Sequence, residues 1–235
     1  MRLYAGTSGF AYDEWKGTFY PEDLPADERL RYFGEKLPAV EINNTFYRLP
    51  KTSVVQSWAD QVPDGFRFAL KASRRITHQK RLVEAGGETE YLLRTTSTLG
   101  ERLGALLFQM PPYLRQDVPR LAAFLELLPA GTRAAFEFRH ESWVDEEVRD
   151  LLRSRDCALV VSETDDEPEA ELVSTAGWGY LRLRRCDYTD AELAARAERV
   201  RAAGWDEAYV FFKHEEEGAG PEMALRFLEL AGGGD

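Results

Sequence analysis

Eight times along this chain a short, β-rich apolar run is followed by a stretch with helical spacing, and this alternation constrains the fold more than any other feature. The runs are 2–7 (RLYAGT), 39–46 (AVEINNTF), 67–73 (RFALKAS), 104–110 (GALLFQM), 133–139 (RAAFEFR), 158–163 (ALVVSE), 178–184 (WGYLRLR) and 207–214 (EAYVFFKH). Several are nearly continuous in apolar side chains, as strands buried on both faces are. Between them, Leu121, Phe124, Leu125 and Leu128 follow the i, i+3, i+4, i+7 rule, and Leu30, Phe33 and Leu37 nearly do. Val144, Val148, Leu151 and Leu152 repeat the pattern behind Ser142, the expected N-cap. Thr189 and Glu192 have capping-box spacing, with Gly204 where that helix should stop. Pro221 suits the first turn of a last helix ending near Gly232. Residues 164–175 are acidic and aperiodic, so the sixth helix is expected to be short or missing.

Strands alternating with helices imply a parallel sheet with right-handed crossovers. Eight units without an antiparallel edge favour closure over an open doubly wound sheet. The expected fold is therefore α/β, a single (β/α)8 TIM-like barrel domain over residues 1–235. The length of 235 residues sits near the lower end for that fold, which runs to roughly 250.

Composition narrows the function classes. A formal net charge of −11 argues against general, charge-driven nucleic-acid binding, while leaving room for a local basic site. No apolar run approaches the ~18 residues that suggest a membrane span, and MRLYAGTSGF carries no apolar signal region. Cys157 and Cys186 lie too far apart for a redox or zinc spacing. A cytoplasmic, monomeric protein that does not enter a membrane is the expectation.

In barrels of this kind, function gathers at the C-terminal ends of the strands and in the loops after them. Polar residues collect there. Strand one ends in Gly6-Thr7-Ser8-Gly9, and strand two carries Glu41, Asn43 and Thr45 at one parity. Strand three ends at Lys71, strand four at Gln109, and strand five at Glu137 and Arg139. Arg182 and Arg184 share a face on strand seven, and Lys213 and His214 close strand eight. If these residues point inward, carboxylates and cations line the barrel mouth. A structural ion pair between Glu137 and Arg139 is the alternative for those two.

Residues 71–81 (KASRRITHQKR) form the densest basic run of an acidic chain. Lys71 and His78 are read as functional, and Arg74, Arg75, Lys80 and Arg81 as charges of a solvated loop. The three histidines (His78, His140 and His214) all fall just after strands, without HExxH spacing. No metal ligands are assigned; a magnesium or manganese site using Glu41 and Glu137 is only weakly signalled. The aromatic loop 9–21 is either a stacking flap presenting Tyr12 and Trp15 to a sugar or base, or a loop holding itself down, the reading preferred. Nucleotide-binding signatures and a GxSxG elbow are absent. No cofactor is identified.

The strings GTSGF-Y-W-FYP (6–21), VEINNTFYRLP (40–50), F-F-LK-ITH (66–78), LLFQMPP (106–112) and FEFRHESW (136–143) together resemble the YecE-like family, domain of unknown function 72. The similarity runs in order over nearly the whole chain. It implies a TIM barrel and fixes no activity; kinship with metal-dependent sugar isomerases or DNA-repair endonucleases is analogy at the level of fold. The family's signature falls here on Gly6, Thr7, Ser8, Tyr12, Trp15, Glu41, Asn43, Thr45, Phe46, Tyr47, Lys71, Thr77, His78, Gln109, Glu137, Arg139 and Trp143. Phe10 stands where tryptophan is usual, and Lys213-His214 where many members have asparagines.

The functional expectation is a mouth that binds a small anionic ligand, phosphorylated or sugar-like, with its transformation left open. Lys71, Arg139 and Arg182 hold the anion, Glu41 or Glu137 and His78 exchange protons, and Thr7, Ser8, Tyr12, Trp15, Asn43, Gln109, Trp143, Lys213 and His214 complete the binding set. The alternatives are a nucleic-acid binding or endonuclease-like protein, with 71–81 on phosphates, and a binding barrel without turnover.

Overall fold

The computed structural model describes residues 1–213 and 218–232. Among them, nine strand segments form one sheet: β1 (Arg2–Ser8), β2 (Ala39–Ile42), β3 (Arg67–Lys71), β4 (Leu103–Gln109), β5 (Ala134–Glu137), β6 (Ala158–Leu159), β7 (Val161–Glu163), β8 (Trp178–Leu183) and β9 (Glu207–Phe212). The order is β6-β5-β4-β3-β2-β1-β9-β8-β7, and every pairing is parallel. The two ends of that order are separated in the chain by Val160 alone, whose N–H donates to the Phe136 carbonyl at 2.9 Å. The ring thus closes through one kinked strand, and nine segments make the eight staves of a TIM-like barrel.

Helices α1 (Arg29–Lys36), α2 (Thr52–Ala59), α3 (Gly86–Thr96), α4 (Val118–Leu125), α5 (Glu146–Arg153), α6 (Asp190–Ala202) and α7 (Ala219–Leu230) alternate with the strands. The capping box on Thr189 and Glu192 is formed, and Gly204 follows α6 at φ 74°. No helix forms between β7 and β8. That acidic segment is tied down by its neighbours instead: Arg196 and Arg199 of α6 donate to the carbonyls of Pro168 and Ala170, each at 2.8 Å. Backbone groups that no helix satisfies find partners there.

Two expectations of local structure are corrected. The second strand ends at Ile42, because Asn44–Phe46 turns into a 3-10 helix. Thr45 therefore leaves the inward face, and its hydroxyl bonds the carbonyls of Ile42 (2.9 Å) and Lys71 (2.7 Å). The N-cap of α5 is Asp145, which accepts from the Glu147 N–H at 2.8 Å; Ser142 sits in a separate 3-10 turn (Glu141–Trp143) and accepts from Gln116 N–H.

Two apolar layers result. One lies between sheet and helices, with Phe33, Phe66, Leu121, Phe124, Phe212 and Phe227 in it. The other fills the barrel, and it is lopsided. β2 to β6 contribute Ala39, Ala69, Ala105, Ala135 and Ala158, with Leu107 their one larger side chain, whereas β1, β8 and β9 contribute Tyr4, Trp178, Tyr180, Tyr209 and Phe211. Small side chains on one half leave the volume that rings from the other half occupy, giving native packing density without a pore. Gly104 belongs to this fit, since a Cβ there would lie 2.6 Å from the Tyr209 ring.

Candidate functional site

Inward parity continues past this apolar layer to the C-terminal strand ends. Two residues beyond Ala39, Ala69, Leu107, Ala135 and Tyr180 come Glu41, Lys71, Gln109, Glu137 and Arg182. Arg182, 3% exposed, is the centre of the group. Its Nε and Nη2 donate to the two oxygens of Glu41 at 3.0 and 2.9 Å, and its Nη1 donates to Glu137 Oε2 at 2.7 Å. Glu41 also accepts from Ser8 Oγ (2.8 Å), Asn43 Nδ2 (3.0 Å) and Tyr180 Oη (2.7 Å). Glu137 accepts from Gln109 Nε2 (2.9 Å) and Arg139 Nε (3.3 Å), with Arg184 Nη2 at 3.5 Å. Gln109 passes the chain on, its Oε1 accepting from Lys71 Nζ at 2.7 Å.

The electrostatics follow from this wiring. Burial works to raise the pKa of Glu137, but Arg182, Arg184 and Arg139 outweigh it and hold the carboxyl at about 2. Glu41 lies below the usual range for the same reason: Arg182, Tyr180 and Ser8 more than reverse the effect of burial. Lys71 is pushed down to about 8, first by burial and then by Arg182 and Arg139, against the pull of Glu41 and Glu137. Burial, Lys71 and Arg139 also lower His78.

These facts count against the expected proton exchange by Glu41 and Glu137. A general base needs a free lone pair and a pKa near the working pH. Glu41 already accepts five hydrogen bonds, and Glu137 is too weak a base. Both instead support the cations above them.

Above them is a cavity of about 430 Å³ lined by Ser8, Tyr12, Asn43, Asn44, Phe46, Tyr47, Lys71, Gln109, Arg139, Arg182, Arg184 and Lys213. Five of these side chains are cationic. Asn43 Oδ1 and Arg184 Nε are buried without a hydrogen-bond partner among the described residues. Phe46 forms one wall, with Lys71 Nζ 4.4 Å from its ring centre and the His78 ring edge-on at 4.8 Å. A second cavity of about 440 Å³ adjoins at Tyr47, with Arg48, Arg74 and Arg75 in its lining.

The structure gathers Ser8, Tyr12, Asn43, Lys71, Gln109, Arg139, Arg182 and Lys213 at the mouth, over Glu41 and Glu137. It does not bring Thr7, Trp15 or Trp143 there. Thr7 has the opposite parity to Ser8 and bonds the Gly9 carbonyl at 2.6 Å. Trp15 is fully buried among Tyr12, Phe19 and Tyr20, so most of the first loop does hold itself down. Trp143 stacks on Phe138 at 4.3 Å and donates to the Leu114 carbonyl at 2.8 Å. His78 sits behind Phe46 in a π-helical turn (Arg75–Gln79), its Nδ1 2.9 Å from Thr77 Oγ1. His214 lies outside the described residues.

Tyr180, Asn44 and Ser162 join the site without having been singled out, and Arg184 joins it more closely than its place on the strand suggested. Tyr180 was within reach of sequence reasoning, since it shares parity with Arg182. Ser162, which accepts from Arg184 Nη2 at 2.6 Å, lies beyond the kink at Val160 and gives no such signal. Among the described residues no three of His, Cys, Asp or Glu come together as metal ligands, and the Arg182 guanidinium fills the space between Glu41 and Glu137. No helix among them is long and apolar enough to cross a membrane.

A closed parallel β/α barrel with a cation-rich mouth at the strand C-termini defines the class of protein. The chain belongs to the family described as protein of unknown function DUF72, whose pattern matches residues 4–234. It is similar to a DUF72 family protein from Thermotoga maritima, at 28% identity and TM-score 0.86, covering 98% of this chain and 99% of that one. A DUF72 protein from Enterococcus faecalis shares the fold at 19% identity and TM-score 0.81, covering 98% of this chain and 95% of that one. The UPF0759 protein YecE of Escherichia coli K12 is 35% identical over 139 residues, 59% of this chain and 48% of YecE. The match to the Bacillus subtilis UPF0759 protein YunF, 25% identical over 150 residues, covers 60% of this chain and 52% of YunF. The chain thus spans about half the length of these two relatives in the matched stretch.

Proposed function

We propose that the mouth of the barrel binds a small anionic ligand, with its phosphate or carboxylate on Arg139, Arg184 and Lys213 and its body against Lys71, Phe46, Tyr47 and Tyr12. The observation that carries this reading is the charge imbalance. Five cations line the mouth over two buried carboxylates, and although Glu137 pairs with Arg139 and Arg184 as well as Arg182, positive charge remains in excess around the cavity. The test is a thermal-shift and calorimetric screen of phosphorylated sugars, organic acids and inorganic phosphate. A ligand at a hundred times its Kd adds about 2.7 kcal/mol of stability, a clear rise in Tm. A panel that leaves Tm unmoved sinks the reading, and conversion of a bound ligand separates an enzyme from a barrel that only binds.

A second reading, a nucleic-acid strand, draws on the neighbouring cavity, where Arg48, Arg74 and Arg75 extend the positive surface past the exposed Tyr47 ring. It requires affinity for a short oligonucleotide that falls steeply with salt. The net charge of −11 opposes it, and failure to shift a single strand at low salt removes it.

A further inference from the structure

The chain has six lysines: Lys16, Lys36, Lys51, Lys71, Lys80 and Lys213. Lys71 differs from an ordinary surface lysine in what surrounds its nitrogen. It lines the mouth, and among the described residues it forms no ion pair with a carboxylate. Its Nζ donates to the neutral Gln109 Oε1 at 2.7 Å and lies over the Phe46 ring at 4.4 Å. By contrast, Lys80 pairs with Glu88 at 2.8 Å. A half-buried ammonium is ordinarily matched by a carboxylate, and the two nearest candidates are already held by Arg182. Arg182 and Arg139 add repulsion of like charge, against the attraction of Glu41 and Glu137. Removing water, withholding a counter-ion and adding neighbouring cations is the combination that turns a lysine into a neutral amine.

We propose that Lys71 is a nucleophile that forms an imine with an anionic carbonyl compound, an aldehyde or ketone carrying a phosphate or carboxylate. This rests on the anion-binding reading and names the substrate class within it. The Nζ lone pair adds to the carbonyl carbon as the C=O π electrons move to oxygen. Both amine hydrogens then leave with that oxygen as water, and a C=N bond remains. Nothing is oxidised or reduced. The cations beside Lys71 hold the anionic end of the same molecule, and a cavity of about 430 Å³ accommodates a compound of a few carbons.

At pH 7.5 roughly a quarter of a lysine with pKa 8 is neutral, against about a thousandth of an ordinary one. Lower basicity returns part of that gain, so Lys71 should react at least about tenfold faster than exposed Lys16 or Lys51. The experiment treats the purified protein briefly at pH 7.5 with cyanoborohydride and either formaldehyde or glyoxylate, and peptide mass spectrometry locates the alkylated lysines. Formaldehyde carries no charge and reads nucleophilicity alone; glyoxylate adds the anion. The expected result is that Lys71 is modified first by both, by a wider margin with glyoxylate, and that excess inorganic phosphate removes the extra margin. If formaldehyde modifies Lys71 no faster than Lys16 and Lys51, the nucleophile is overturned, and a phosphate-induced Tm rise in the same preparation would still uphold anion binding. If Lys71 leads with formaldehyde but glyoxylate adds nothing and phosphate does not protect, the anionic substrate class fails together with the reading beneath it.

Discussion

At the N-terminal end of the strands one carboxylate, Glu207, is buried, and cations come to it from outside. Arg2 pairs with it at 2.5 Å, Arg133 pairs with its other oxygen, and both arginines reach solvent. Tyr4 stacks on Tyr209 at 5.2 Å, and Arg67 lies over Tyr4 at 5.2 Å while bonding the Asp64 and Phe66 carbonyls. At the C-terminal end the order is inverted. The buried cation Arg182 sits between two buried carboxylates, and Lys71, Arg139, Arg184 and Lys213 stand above them around an open cavity. Burying a carboxylate under arginines seals one end. Burying an arginine between two carboxylates offsets part of their charge from within, so the outer cations, of which Arg139 and Arg184 share Glu137, outnumber the negative charge left to them.

The sharpest way to break this comparison is to remove the buried charge at each end. Arg182→Leu leaves Glu41 buried without a counter-ion, and Glu137 with only its longer pairs to Arg139 and Arg184, and should cost about 3–5 kcal/mol in urea unfolding. Glu207→Gln strands two arginines that can turn to water, keeps an acceptor for the buried Tyr209 hydroxyl, and should cost about 1 kcal/mol. Equal losses would mean that the two layers are equivalent.

Acid titration sharpens it next. The folded Glu137 carboxyl lies at about 2, below its ordinary 4.5, and Glu41 is shifted the same way. Their contribution to stability is therefore present above about 4.5 and is lost as pH falls toward 2. Urea midpoints measured between pH 5 and 2.5 should fall less steeply in Glu137→Gln than in the unaltered protein.

Lys71 should show the same sense of slope in alkali. Its folded pKa of about 8, against an ordinary 10.5, is set by burial and by Arg182, Glu41, Glu137 and Arg139. The unfolded chain holds the proton more firmly, so stability should rise as pH climbs from about 8 to about 10.5. Phosphate in the mouth should move the Lys71 titration upward. Lysine side-chain NMR with and without phosphate checks both; a titration near 10.5 in the free protein refutes the environment described for this side chain.

The smallest effects concern the rim. Arg139→Ala should weaken anion binding by about tenfold or less, because its guanidinium is partly solvated. Arg133→Ala at the sealed end should leave it unchanged by calorimetry. Equal weakening by both would show that the charge of the whole surface, and not the mouth, attracts the anion.

Much of the barrel was legible because strands buried on both faces and amphipathic helices leave different periods in the sequence. The missing sixth helix, the Thr189–Glu192 box and the Gly204 stop are local signals, and local signals survive folding. Where two local signals compete, the reading slipped, as with Asp145 against Ser142 for the N-cap of α5. The site was legible as a set of strand ends but not as a circuit. Parity says that Glu41 and Arg182 both face inward, yet nothing local says that residues 141 apart meet in a two-pronged pair. Nor does a tryptophan in a loop declare its direction: Trp15 and Trp143 turn into the core, and Tyr12 reaches the rim.

The lopsided filling of the barrel also has a consequence for synthesis. The ribosome delivers the alanine-bearing strands β2 to β6 first and the ring-bearing β8 and β9 last. A nascent chain released only as far as β7 has Ala39, Ala69, Ala105, Ala135 and Ala158 turned toward a space in which Tyr4 is the one large ring of that layer yet made. Trp178, Tyr180, Tyr209 and Phe211 emerge afterwards, so the interior cannot reach close packing until the final strand is out. The last quarter of the chain therefore acts as a keystone, and the time spent waiting for it is when the growing protein most needs protection from its neighbours.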